Sequence, residues 1–376
     1  MTQIKNDLFN SWLNETKPYQ AGKTFEELAH EFGFKQSEIL RLAGNEATIG
    51  TSPKAIKAAQ EASSHSNFYA EPKSESLMKT LEKNFSHDID MSKLAFVCGN
   101  GMDSIIEHCL SLFTQPGDSI VNLTPTFIYY EFAAQRQNLE IVNVQRQEAT
   151  STEYAKKFIL EIDDVINAIK DNTKMVFLCS PNNPDGSIVD LDQIKKLAQV
   201  CLDKGIVLFV DHAYIEFADR KKLDAREIII DFPNMVIGYT FSKAYAMAGF
   251  RVGYALMHKE IQEKFLALLT PFLIAKQSIA AAQAALEDKE HLGKIISNNS
   301  SQRLWLEIEL QSLRFEVFQS EANFLLFKSP KIDLFEKLLK KGIIIRKLNT
   351  VDALRVTVGT LEENKRFIAA MKEILN

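Results

Sequence analysis

The run Thr240-Phe-Ser242-Lys243-Ala-Tyr-Ala-Met-Ala-Gly-Phe-Arg251 gathers hydroxyls, an amine and a guanidinium within twelve positions. It follows the apolar run Met235–Thr240, which reads as a strand. Lys243 is therefore expected at a strand's carboxyl end, where open α/β sheets bind ligands. A lysine kept neutral there can form a Schiff base with an aldehyde. The hydroxyls of Thr240 and Ser242 with the two-pronged Arg251 would suit a phosphate monoester. A surface lysine on a loop is the plain alternative, and the grouping speaks against it.

Three further runs occupy similar strand ends. In Val210-Asp211-His212-Ala-Tyr214 the preceding strand is wholly apolar, which puts Asp211 in a low-dielectric setting. A carboxylate there needs a cation, and a protonated pyridine nitrogen would be one, with Tyr214 placed to reach a neighbouring phenolic oxygen. A helix N-cap is the other reading of Asp211. His212, adjacent on a strand, should face the opposite side and read as a packed or supporting histidine. Ser180-Pro-Asn182-Asn183-Pro184-Asp185-Gly186 alone is only a turn, but its position lets Asn183 donate to the same oxygen. Cys98-Gly99-Asn100-Gly101-Met102-Asp103-Ser104 joins a strand to a helix whose free N–H groups could hold one phosphate. The third glycine of a dinucleotide fingerprint is missing.

The elements that would carry these loops alternate along the middle of the chain. Expected strands are Leu94–Cys98, Ser119–Leu123, Glu140–Val144, Met175–Leu178, Ile206–Asp211, Met235–Thr240 and Val252–Met257, with helices at Ser104–Phe113, Ile162–Lys170 and Leu191–Asp203. Continuous apolar strands imply a mostly parallel sheet buried on both faces. From about Leu292 a long helix leads into short strands near Phe315–Phe318, Asn323–Phe327, Gly342–Arg346 and Leu354–Val358, then a helix at Leu361–Leu375. The chain's 376 residues exceed one ordinary core. The expected division is a large domain over 49–284 and a small α+β domain from 1–48 and 285–376.

Composition is that of a soluble globular protein, 46% hydrophobic and 25% charged. A net charge of −5 without a basic stripe argues against a nucleic-acid surface. The cluster Lys337, Lys340 and Lys341 reads as the wet face of a helix. Cys98, Cys109, Cys179 and Cys201 lie far apart, so neither a metal site nor a disulfide framework is expected. No signal peptide or membrane-length apolar run is evident, which points to the cytoplasm.

Taken in order, the four motifs resemble the class I/II aminotransferases of fold type I, and more closely the histidinol-phosphate aminotransferase branch. The likeness spans almost the whole chain. It includes Lys17-Pro-Tyr19-Gln-Ala-Gly-Lys23, Leu42-Ala-Gly-Asn45-Glu46, Ser320-Glu-Ala-Asn323-Phe324 and Leu354-Arg355-Val-Thr-Val-Gly359. It implies a pyridoxal 5'-phosphate (PLP) transferase fold: a mostly parallel sheet flanked by helices, plus a smaller α+β domain.

The resemblance also implies roles. Lys243 would carry PLP as a Schiff base and move the Cα proton of the amino acid. Asp211 would keep the pyridine nitrogen protonated, and Tyr214 and Asn183 would bond the phenolic oxygen. Phe127 would stack on the ring. Thr240, Ser242, Arg251 and the backbone at Met102 and Asp103 would cradle the phosphate, joined by Tyr69 from the neighbouring subunit of a homodimer with shared sites. Arg355 would hold the substrate α-carboxylate, Tyr19 would help hold a substrate phosphate, and Asn45 would lie at the substrate entrance.

Arg346 closes one strand and Arg355 lies on the next, so two guanidinium groups could point into one pocket, with Arg346 placed to bind a distal anion. The chain departs from the family at Gly44-Asn45-Glu46-Ala47-Thr48, at His212 and at Tyr69-Ala70-Glu71. The expected reaction is amino transfer from an amino donor to a 2-oxo acid, with histidinol phosphate and 2-oxoglutarate the favoured pair. An aromatic aminotransferase and a PLP decarboxylase of a phosphorylated amino acid share the same cofactor residues. A non-catalytic ligand-binding module on this fold is opposed by Lys243 and Asp211 occurring together.

Overall fold

The computed structural model describes Asn10, Trp12 and residues 24–329 and 333–375. Its centre is a seven-stranded sheet built from β1 (Leu94–Gly99), β2 (Ser119–Thr124), β3 (Glu140–Gln145), β4 (Thr173–Cys179), β5 (Val207–Asp211), β6 (Met235–Thr240) and β7 (Gly253–His258). Their spatial order is β1-β7-β6-β5-β4-β2-β3. Pairing is parallel from β6 through β5, β4 and β2 to β3, and β7 runs antiparallel between β6 and β1. The parallel strands thus deliver their carboxyl ends, with Thr124, Cys179, Asp211 and Thr240, to one edge of the sheet.

Alternation along each strand feeds two cores. Phe96, Val121, Val176, Leu208 and Ile237 pack on one face, and Val97, Ile120, Phe177, Phe209 and Val236 on the other. This is why the strands read as continuous apolar runs. Helix Gly101–Phe113 and helix Tyr129–Arg136 lie on the second face, and helix Leu191–Asp203 lies on the first.

A second sheet has six strands, and its composition crosses the expected boundary. Glu316–Phe318, Phe324–Lys328, Arg346–Leu348 and Ala353–Thr357 come from the C-terminal part. The hairpin Gln147–Thr152 and Ala155–Ile159 comes from the middle of the chain, and Ala155–Ile159 pairs in parallel with Glu316–Phe318. The expected strand Gly342–Arg346 is split. Ile343–Ile344 pairs with Leu40–Arg41, while Arg346–Leu348 joins the six-stranded sheet.

One close approach ties the sheet to the loop after β1. A Cβ on Gly253 would lie 2.6 Å from both the carbonyl carbon of Gly101 and the nitrogen of Met102. Backbone cannot yield as a flexible side chain can. Gly253→Ala is therefore expected to lower stability by about 1–3 kcal/mol, read as a lower urea midpoint. An unchanged midpoint would show that the approach is slack.

Candidate active site

Asp211 ends β5 and is 2% exposed. The Tyr130 hydroxyl donates to its Oδ2, and the Ala213 N–H donates to its Oδ1 at 2.9 Å. Both donors are neutral. Burial pushes the carboxyl up to about 6 against the pull of these bonds. Its neighbour His212 points to the opposite face, as strand alternation requires. There Nδ1 lies 2.7 Å from the Ser180 carbonyl, and Nε2 accepts the Ala225 N–H at 3.2 Å. The proton therefore belongs on Nδ1, and burial lowers the ring's pKa, keeping it neutral. His212 supports the loop structurally.

Lys243 follows β6 and donates from Nζ to the Gly44 carbonyl at 3.0 Å. The amine also lies 5.9 Å from the centroid of the Tyr214 ring. Burial, reinforced by the Arg355 cation, lowers its pKa to about 8, so a neutral amine is accessible near neutral pH. Tyr214 is buried and accepts a bond from Asn45 Nδ2 at 2.9 Å. Asn183 accepts from Arg355 Nη1, and Arg355 Nη2 donates to the Ala43 carbonyl at 3.0 Å. The Arg355 guanidinium lies 5.1 Å from the Phe324 ring centroid. One cluster thus holds Lys243, Tyr214, Asn183, Asn45 and Arg355.

The opposite end of the cleft is built by the start of helix Gly101–Phe113 and by Arg251. Arg251 has φ 54°, and its Nη2 donates to Asp103 Oδ2 at 2.8 Å while Nη1 reaches the Ala248 carbonyl at 3.2 Å. Gly101 has φ +77°, and a Cβ there would collide with Arg251 Nη2, so guanidinium and helix start converge closely. Ser242 N–H donates to Thr240 Oγ1 at 3.1 Å, and that hydroxyl points to the Val252 carbonyl at 3.5 Å. The Met102 side chain turns into the core against Gly238 and Phe209. That side chain is thereby committed to the core. The Asp103 side chain, by contrast, is committed to Arg251.

Phe127 is half-buried and packs edge-on to Tyr130, with ring centroids 5.6 Å apart. Arg346 stands directly opposite Arg355 in the antiparallel register, so the two side chains project from the same face. Tyr69 stands apart at 82% exposed, stacked on Phe272 with centroids 4.7 Å apart. Tyr19 lies outside the described residues.

Several supporting residues escape motif reading. Tyr130 holds Asp211. Asn182 locks the two loops that carry Phe127 and Asn183: it accepts from Thr126 Oγ1 and donates to the Pro125 carbonyl, each at 2.9 Å, and donates to Asp185. Buried Arg146 bonds the Leu123 and Cys179 carbonyls at 3.3 Å each, tying together the ends of β2 and β4. Asn182 sits inside a run already singled out, so its polarity was visible though its partner loop was not.

These residues fit pyridoxal 5'-phosphate. Asp211 is a dry carboxylate whose bonded partners are neutral, as a cationic ring nitrogen requires. Lys243 is a depressed-pKa amine, and Asn45 Oδ1 is buried with no hydrogen-bond partner among the described residues. The start of helix Gly101–Phe113, Ser242 and Arg251 offer the kinds of group that could cradle a phosphate. On this sheet, the set defines a transaminase that works with pyridoxal 5'-phosphate. A family model for aminotransferase class I and II matches residues 37–371, and the chain belongs to that family.

It is 33% identical over 376 residues to a histidinol-phosphate aminotransferase of Methanococcoides burtonii, covering 98% of this chain and 99% of that one. It is 35% identical over 373 residues to the protein of the same name from Methanocella arvoryzae, covering 96% and 97%. The crystal structure of histidinol-phosphate aminotransferase from Sinorhizobium meliloti in complex with pyridoxal-5'-phosphate superposes with a TM-score of 0.85. That match is at 23% identity and covers 98% of this chain and 97% of that one.

The raised pKa of Asp211 sets a pH dependence in the cofactor-free protein. A carboxyl that binds its proton more tightly when folded contributes stability below its unfolded pKa, and loses it as pH rises through about 6. Asp211→Asn should therefore make the cofactor-free protein more stable than wild type at pH 8, by about 1–3 kcal/mol, with a smaller gap at pH 5. Urea midpoints at the two pH values test this. A variant less stable at pH 8 would show that Asp211 is already paired.

Proposed function

We infer that the protein transfers the amino group of histidinol phosphate to 2-oxoglutarate, giving imidazole acetol phosphate and glutamate. The observation that carries the substrate assignment is the Arg346–Arg355 cross-strand pair at the cleft. Histidinol phosphate carries a dianionic phosphate and no carboxylate, and two guanidinium forks on one face suit that charge. 2-Oxoglutarate offers the same pair two carboxylates. Phenylalanine has one carboxylate and needs one fork. The full-length relatives bearing the histidinol-phosphate aminotransferase name support the same reading, and with it a place in histidine biosynthesis.

When bound, pyridoxal phosphate supplies the electron sink that lets the substrate's α-proton leave. The chain's residues do the rest. Lys243 would hold the cofactor and, when its amine is free, would take and return the Cα proton, its pKa lowered to about 8. Asp211 would hold the ring nitrogen protonated, and Tyr214 and Asn183 would bond the phenolic oxygen. Phe127 would cover the ring. Thr240, Ser242, Arg251 and the backbone of Met102 and Asp103 would hold the phosphate. Arg355, with Arg346, Tyr19 and Asn45, orients the substrate.

The assembly we propose is a homodimer with shared sites. Tyr69, 82% exposed, stacks on Phe272, and its neighbour Phe68 is 66% exposed, an aromatic patch unlike an ordinary solvated surface. Each chain divides into a large domain over 49–284 and a small one from 1–48 and 285–376, the small one borrowing the hairpin 147–159 for its sheet. No helix among the described residues is long and apolar enough to cross a membrane. Four buried free thiols accord with a cytoplasmic setting.

Two experiments test these readings. Arg346→Ala should lose at least roughly tenfold more kcat/KM with histidinol phosphate than with phenylalanine. Equal losses, or a wild-type preference for phenylalanine, would move the assignment to aromatic amino acids. Mixing inactive Lys243→Ala with impaired Tyr69→Phe protein should regenerate intact sites in the mixed dimers, because the Lys243→Ala chain lends its Tyr69. No recovery after confirmed subunit exchange would place Tyr69 in its own chain's structure.

A further inference from the structure

Asn45 arrives at the cleft from the N-terminal part and is held from three directions. Its N–H donates to Thr357 Oγ1 at 2.9 Å, and its carbonyl accepts from Asn323 Nδ2 at 3.0 Å. Its side-chain Nδ2 donates to the Tyr214 hydroxyl at 2.9 Å. Asn45 is 1% exposed and has φ 54°, a conformation asparagine tolerates better than most residues. Thr357, Asn323 and Tyr214 belong to three separate segments, so this asparagine joins the substrate-side strand to the cofactor-side loop.

The direction of the last bond has a chemical consequence. A phenol has one proton to donate. With an amide N–H directed at the Tyr214 oxygen, the tyrosine's own proton is left for a different acceptor. A phenol that accepts one bond also becomes a stronger donor in the next. We propose that Asn45 is a positioning residue that commits Tyr214 to donate toward the cofactor's phenolic oxygen, and that Asn323 holds Asn45 in the pose this requires. The proposal rests on the cofactor assignment made above.

A donor on the phenolic oxygen draws off negative charge, so the Lys243 nitrogen attached to the cofactor holds its proton less tightly. That proton is visible as a pH-dependent change in the absorption band of the loaded enzyme, independent of turnover. Asn45→Gly keeps the left-handed backbone and both main-chain bonds while deleting the amide. It should raise the titration midpoint by roughly half a pH unit. Asn45→Asp, which keeps the volume but offers no donor, should shift it the same way and serves if the glycine variant does not fold. Asn323→Ala should give a smaller rise.

In a Tyr214→Phe background Asn45→Gly should add no further shift, because the relay has lost its middle member. An unmoved or lowered midpoint in Asn45→Gly would overturn the proposal, the lowered case meaning that Tyr214 donates to Asn45 instead. An equal shift in the Tyr214→Phe background would overturn it too, since the effect would then bypass the tyrosine. Absence of the band from wild-type protein loaded with pyridoxal phosphate would overturn the cofactor assignment and this proposal with it. A normal band with an unmoved midpoint would remove the relay alone.

Discussion

Keeping a carboxylate dry at the end of β5 is the constraint around which the cleft is arranged. A buried Asp211 whose bonded partners are a phenol and an amide N–H remains short of positive charge. The sheet makes the demand local. β5 lies in the middle of the strand order, flanked by parallel β4 and β6, so the Ser180–Gly186 loop and the Ser242–Lys243 turn rise on either side of Asp211. A cation brought into that gap meets a lysine on one side and an asparagine loop on the other.

Charge is balanced differently at the two ends of the cleft. At the helix end, Arg251 is paired with Asp103, so its charge is already shared with a carboxylate. At the other end, Arg355 donates to neutral oxygens of Asn183 and Ala43. Lys243 sits between the two arginines, and both oppose its protonation. Its reactivity therefore comes from placement between fixed cations as well as from burial.

Much of this was legible in the chain. Apolar strand runs such as Met175–Leu178 and Val207–Val210 carry their own evidence of two-sided burial, and chemistry-bearing residues just beyond them must sit at strand ends. Strand Met235–Thr240 and helices Leu191–Asp203 and Leu361–Leu375 match the expected bounds. What stayed hidden depends on pairing between distant segments. Gln147–Thr152 is polar and mostly exposed on both faces, so it has no alternation to announce a strand, and its partner alone makes it one. The split at Ile345 follows from a partner 303 positions earlier, Leu40 beside Ile343. Tyr130, Arg146 and Asn323 likewise act through contacts that spacing along the chain does not encode.

The borrowed hairpin has a bearing on how the molecule can come to be folded. The six-stranded sheet needs Ala155–Ile159 beside Glu316–Phe318, and Ile343–Ile344 needs Leu40–Arg41. A fragment beginning near residue 285 would lack two of six strands and expose the Glu316–Phe318 edge. Pairings closed over such long stretches of chain form slowly and late, because their loop entropy is lost before the contacts return it. The C-terminal part is thus not an autonomous folding unit, and on a ribosome its sheet waits for a template made about 160 residues earlier.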